Sequence, residues 1–264
     1  MSYNLKTYSK FIYGIEVTQG ENYIDFFDGT SNKVAIIPVG GYSIGGLARE
    51  VARQMNKVTQ NNGFDVTVDR DKLALTIFTL DNTNFSLLFS TGTNNFFSAH
   101  NILGFNKVNL TGSNSYTSTN KVGLEYKPQF YLQNYIDADL NSVPVEAVVN
   151  RSTSGNKFEV VKFGSNRLYK FEIVYTTDMN LGPGSVIRYN PNGVSDLKNF
   201  IEFCIKKYPL EFIKDESQSF NYDTVILEST PQSDQGVAYE ISPDYSSELA
   251  EFFTLNGQLV FRRI

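Results

Sequence analysis

Few residues in this sequence are of types that do chemistry, and they are scattered. Glycines 40, 41, 45 and 46 lie between a strand-like run and a helix-like one, the place where backbone amides can cradle a phosphate. Their spacing, Gly40-Gly41-Tyr42-Ser43-Ile44-Gly45-Gly46, matches neither the dinucleotide fingerprint nor the Walker loop, and no Lys-Ser/Thr pair follows. A tight turn with close helix packing accounts for them better. His100, the one histidine, sits among apolar and amide neighbours in Phe96-Phe97-Ser98-Ala99-His100-Asn101-Ile102. No Gly-x-Ser-x-Gly accompanies it, and a histidine metal centre needs several such ligands. Cys204, the one cysteine, falls on the apolar stripe of a helix pattern, where a free thiol behaves as a small hydrophobe.

Carboxylates remain. Asp137, Asp139, Glu146, Asp215, Glu216, Asp234 and Glu240 could supply a glycosidase pair, but the chain has no Trp to form a sugar platform. Asp137-Ala138-Asp139 lacks the following Gly and the distal Glu of a calcium loop. No catalytic, cofactor-binding or metal-binding residue is therefore assigned, and no cofactor is expected.

The elements that would position such groups are mainly strands. Phe11 to Val17 and Asn22 to Phe27 read as strands around the Gln19-Gly20 turn, and Val34 to Val39 as a third. Ser43 is placed to cap a helix in which Ile44, Leu47, Ala48, Val51, Ala52, Met55 and Val58 form one apolar stripe, stopped at Asn61-Asn62-Gly63. Phe64, Val66, Val68 and then Leu73, Leu75, Ile77 alternate with polar residues about the turn Asp69-Arg70-Asp71-Lys72, which describes a hairpin with one buried face. Phe85, Leu87 and Phe89 repeat the alternation, and a helical turn is expected over Phe97 to Leu103. Asn109 to Lys121 is rich in Ser, Thr, Asn and Gly and reads as a linker. Beyond it, strands are expected at 129–135, 143–150, 157–163 and 168–176, separated in part by turns at 154–156 and 164–166. A second helix follows over Val194 to Tyr208, capped by Asn192 or Ser195 and ended by Pro209. Strands at 210–213, 222–227 and 237–241, a helical piece at 246–253 and a last strand at 258–264 complete the pattern.

Composition agrees with a β-rich chain. Of 264 residues, 14% are aromatic, with 21 Phe and 16 Tyr, and only 19% are charged, against about 25% in a typical domain. A formal net charge of −5 lacks the basic excess that neutralises phosphates, so no specific nucleic-acid binding is expected. A single cysteine excludes an intramolecular disulfide. No apolar run follows Met1 to Lys6 and none approaches a bilayer span, so neither a signal peptide nor membrane insertion is expected. The fold class expected is α+β, mostly β. It comprises a strand-helix-hairpin module over 1–122, with 109–121 as linker, and a β-sandwich or split-barrel domain with a flanking helix over 123–264.

Two stretches resemble a known class of protein. Ile37-Pro38-Val39-Gly40-Gly41-Tyr42-Ser43-Ile44, the helix to Asn56, the two strands of the hairpin, Phe85 to Phe89 and Ile102-Leu103-Gly104-Phe105 together resemble a module of virion proteins from bacteriophages and other large DNA viruses. The second half is similar in element order to distal tail and tail-tube-like proteins of tailed bacteriophages. The matching parts are Asn150 to Gly155, the Leu168 strand, the Val194 helix, Leu210-Glu211-Phe212 and the Gly257–Phe261 strand. The resemblance implies a non-enzymatic virion subunit, a distal-tail or baseplate-type ring component assembled in the host cytoplasm. Its implied partners are copies of itself in a ring, six being one stoichiometry, and neighbouring tail or neck proteins. A neck, connector or capsid-vertex protein is the alternative within the class, and a carbohydrate- or receptor-binding module the alternative outside it.

Overall fold

The computed structural model describes residues 9–59, 63–127, 147–151, 158–162, 168–172, 179–182, 186–189, 194–229, 240–244, 252–256 and 258–264. The protein is α+β and mostly β, with several antiparallel sheets and two α-helices among the described residues. In chain order the first elements are β1 (Lys10–Tyr13), β2 (Ile15–Val17), β3 (Tyr23–Phe27), β4 (Asn32–Ile36), β5 (Gly40–Tyr42) and α1 (Ile44–Val58). Then come β6 (Phe64–Asp69), β7 (Ala74–Thr79), β8 (Phe85–Leu88), β9 (Asn109–Ser113), β10 (Ser115–Thr117) and β11 (Leu124–Tyr126). The later elements are β12 (Ala147–Arg151), β13 (Phe158–Lys162), β14 (Leu168–Glu172), β15 (Met179–Gly182), β16 (Val186–Tyr189) and α2 (Val194–Ile205). Last are β17 (Leu210–Ile213), β18 (Tyr222–Ser229), β19 (Glu240–Asp244), β20 (Phe252–Asn256) and β21 (Gln258–Arg263).

Two compact units divide the chain, one of residues 8–127 and 208–222, the other of 1–7, 128–207 and 223–264. The first therefore runs past the break expected at 122 and takes back a short segment from the far half. The linker expected over 109–121 is instead β9 and β10. β9 pairs with β8 and β10 with β7, so the polar side chains of this stretch ride on a backbone satisfied by neighbouring strands. Composition had pointed to a loop because it registers side chains, while strand pairing is made by the backbone.

The core of the first unit follows from the periodicities. Ser43 accepts from Gly46 N at 3.0 Å as the cap of α1, and Ile44, Leu47, Ala48, Val51 and Met55 are buried on one face. That face packs on β6 and β4. Sheet β4-β3-β8-β9 and sheet β10-β7-β6 share this core through a run of edge-to-face rings. Phe26 meets Phe64 at 5.3 Å, Phe64 meets Phe85 at 5.1 Å and Phe85 meets Tyr116 at 4.9 Å between centroids. The expected hairpin β6–β7 forms, with Val66 opposite Ile77 and Val68 opposite Leu75; Leu73, expected in its second strand, lies in the turn at φ 54°.

Other expectations shift in detail. The strands flanking Gln19-Gly20 do not pair with each other: β1 pairs with β11, β2 with β5, and β3 with β4 and β8. The helical turn expected over Phe97 to Leu103 is a 3-10 turn at Asn95–Phe97 followed by turns, with one helical bond from Leu103 N to Ala99 O at 3.1 Å. Ser98 there bridges Tyr23, and alignment with a strand competes with continuing a helix.

In the second unit β21 lies between β18 and β14, so the last strand is interior to its sheet as expected. Three hairpins accompany it, β12–β13, β15–β16 and β19–β20. Helix α2 stops before Pro209; the cap expected at Asn192 lies outside the described residues, and Ser195 falls inside the helix. Of the helical piece expected at 246–253, Phe252 and Phe253 begin β20 and the rest lies outside the described residues. The strand at 129–135 and the turns at 154–156 and 164–166 also lie outside them.

Candidate functional site

The glycine-rich turn is where local sequence came nearest to a ligand site, and the first unit supplies its own anion there. At the start of α1 the amides of the first turn have no helical partner. Gly46 N is taken by the Ser43 hydroxyl and Leu47 N by the Ser43 carbonyl at 2.8 Å. Gly45 N donates to Glu211 Oε1 at 2.9 Å. Glu211 comes from β17, which pairs with β1 so that Ile12 faces Glu211 and Phe11 faces Phe212; the last two rings stack at 4.8 Å.

The carboxylate of Glu211 is wholly buried and doubly held. Arg70, from the turn between β6 and β7, donates through Nε to Oε2 at 2.6 Å and through a terminal nitrogen to Oε1 at 3.2 Å. A bidentate guanidinium and a helix N-terminus are both favourable neighbours for a buried negative charge. The Arg70 guanidinium lies 3.6 Å above the centre of the Tyr222 ring. Its backbone carbonyl accepts from Lys10 Nζ at 3.1 Å, and Lys10 is itself 3.6 Å from Glu125.

Two glycines are required by this arrangement. A Cβ at Gly45 would lie 2.6 Å from Glu211 Oε1, and one at Gly41 would fall within the Tyr208 ring. Tyr208 donates to Glu16 at 3.3 Å. The turn is thus small because 208–222 returns to lie against it. Both oxygens of Glu211 are occupied by donors, so the group stabilises structure and is not offered as a base.

His100, Asp215 and Glu216 are also engaged. His100 is half-buried, its Nδ1 3.2 Å from the Ser98 carbonyl and its ring 6.2 Å from that of Phe89. Asp215 accepts from Ser217 N at 3.0 Å, capping a short 3-10 turn, and Glu216 pairs with Lys127 at 2.8 Å. That bond to Glu216 raises the Lys127 pKa above its ordinary value. Asp137, Asp139, Glu146 and Asp234 lie outside the described residues, and Glu240 opens β19. Among the described residues no three His, Cys, Asp or Glu side chains gather as metal ligands, and no helix is long and apolar enough to cross a membrane. A cleft beside Ile15, Glu16, Asn101 and Leu124 holds about 220 Å³, below the roughly 300–1,000 Å³ of small-molecule sites.

In the second unit Cys204 is 1% exposed, and burial pushes its thiol pKa well above the ordinary value, against a smaller pull from Lys207. The Lys207 ammonium is occupied by the carbonyls of Leu227 at 2.7 Å and Glu228 at 3.1 Å. Because the thiolate is the reacting species, Cys204 in the native chain is expected to resist a disulfide reagent at about pH 8 and to react fully once unfolded. A thiol titration with and without denaturant measures this; fast native labelling would mean that α2 opens readily.

The lock at Glu211 was not singled out by sequence. Its signal was a lone charged residue inside the apolar run Leu210-Glu211-Phe212-Ile213, all four buried, which asks for a partner. No family model matches the chain, and no curated protein is significantly similar to it.

Proposed function

We propose that this chain is a structural, non-enzymatic subunit of a tailed-bacteriophage virion, a distal-tail or baseplate-type ring component joining the tail tube to neighbouring tail proteins. The second unit, in this reading, is a β-sandwich or split barrel with α2 flanking it. The observation that carries the reading is a set of large apolar side chains that face outward from the first unit, although a full apolar core is buried beneath them. Among the described residues Glu211, His100 and Glu216 are engaged within the unit. Phe96 is 85% exposed, Phe220 78%, Leu80 64% and Val39 61%. Exposed apolar surface of this kind is covered in assemblies, and the ordered resemblance to virion modules supplies the class of particle.

Light scattering and negative-stain microscopy of the purified chain test assembly, and mass spectrometry of purified virions tests location. Ring-shaped oligomers and recovery with tail proteins are expected. Recovery with portal proteins would move the chain to the neck. A monomer that binds glycans and is absent from particles would replace the reading with a receptor-binding one.

A further inference from the structure

The first unit treats two of its strand edges differently. β6 is the outer strand of its sheet. Leu80 N donates to Gly63 O at 2.7 Å, so the antiparallel alternation turns the backbone groups of Phe64 and Val66 away from β7. Side chains close that edge. Asn56 donates to Phe64 O and accepts from Phe64 N, each at 2.7 Å, and the Asp65 carboxylate accepts from Val66 N at 2.8 Å.

β4 is the outer strand of the other sheet, and no described strand pairs with its outer side. Asp28 N donates to Ser31 O at 3.2 Å and Ile37 N to Asn22 O at 2.9 Å. The same alternation then directs Lys33 and Ala35 toward β3, and turns the backbone groups of Asn32, Val34 and Ile36 outward. Among the described residues none bonds to those outward groups. Their side chains are exposed as well, Val34 by 37% and Ile36 by 45%. β4 carries no proline and no bulge, and its one lysine is drawn to Asp28 at 3.8 Å. Helix α1 packs against the strand, but among the described residues no side chain closes its outward backbone groups as Asn56 and Asp65 close those of β6. The strand is also held ready: Asp28 Oδ1 accepts from the Thr30 amide at 2.9 Å, the Thr30 hydroxyl at 2.6 Å and the Ser31 amide at 2.8 Å. Burial pushes the Asp28 carboxyl pKa up, but these donors and Lys33 outweigh it and hold it below the ordinary value.

We propose that β4 pairs antiparallel with β4 of a second copy of this chain, about a two-fold axis at Val34. Outward amides and carbonyls at alternate residues are matched by another strand. In this register Val34 faces Val34, Asn32 faces Ile36 and Lys33 faces Ala35, so no like charges oppose each other and no outward position is charged. Such pairing deepens the assembly role proposed above and rests on it. A two-fold contact closes on a pair, so a ring needs a second, different surface.

Sedimentation equilibrium of the full chain, wild type against Val34→Lys, tests the pairing, with circular dichroism to verify that both are folded. The wild type is expected to self-associate. Val34→Lys, which sets two ammonium groups face to face, is expected to weaken association by about tenfold or more. Cysteine variants read the register. Val34→Cys should oxidise to a linked dimer, because facing Cα atoms in such a pair lie about 5.5 Å apart. Asn32→Cys should not, being offset from its own copy by four residues, about 13 Å. Wild-type association that Val34→Lys leaves unchanged, or equal cross-linking at both positions, overturns the edge pairing and leaves the assembly role standing. A wild type that stays monomeric at every concentration overturns both.

Discussion

Glu211→Ala is expected to lower the stability of the first unit by about 3–5 kcal/mol, the cost of breaking a buried ion pair by removing one partner. The carboxylate is wholly buried and receives Arg70 through two nitrogens and Gly45 through its amide. Its loss leaves a guanidinium 12% exposed and an amide at a helix start, neither with water in full supply. Glu211→Gln keeps an acceptor for Gly45 but loses the charge, and should fall between the wild type and the alanine variant. Urea denaturation followed by circular dichroism measures both. Because Arg70 and Glu211 act as a unit, Arg70→Ala should add little on a Glu211→Ala background, with a coupling of about 0.5–3 kcal/mol. Additive effects would mean that the pair is replaceable by solvent and that the return of 208–222 is held by apolar packing alone.

The second large effect is expected at Gly41. A methyl group there falls within the Tyr208 ring, so Gly41→Ala should cost about 3 kcal/mol through overpacking. The decisive comparison is the double variant. Tyr208→Ala vacates the space, and Gly41→Ala should then be nearly neutral, since an extended strand residue tolerates alanine. If Gly41→Ala is equally costly with and without the ring, its effect comes from the turn itself, and the small residue has a local cause. The same logic applied to Gly45, whose methyl would meet the Glu211 carboxylate at 2.6 Å, offers an independent check on the same contact.

These two sites show why local sequence stopped short. Gly41 and Gly45 were legible as small residues at a helix start, and that position suggests a ligand. What fills the space is the chain's own segment, from a residue 166 positions away. Nothing near the glycines encodes this, and nothing near Glu211 encodes it except the oddity of a charge in an apolar strand. His100 was read as a packing or surface residue and Cys204 as a core one; His100 is half-buried beside Phe89 and Cys204 is buried. The linker reading of 109–121 went the other way. Its polar side chains suggested a loop, whereas its backbone pairs with β8 and β7.

Periodicity by itself determined the elements: the capped helix α1 and its buried stripe, the alternation of β6 and β7, and the stop of α2 before Pro209. Each depends on side chains a few residues apart, which share a face through the geometry of helix or strand. Partner choice was decided only in three dimensions. Which strand lies beside β1, which carboxylate caps α1 and which edges stay open depend on backbone bonds between distant residues. Those bonds are chemically alike along the whole chain, so no local pattern distinguishes the pairings that form.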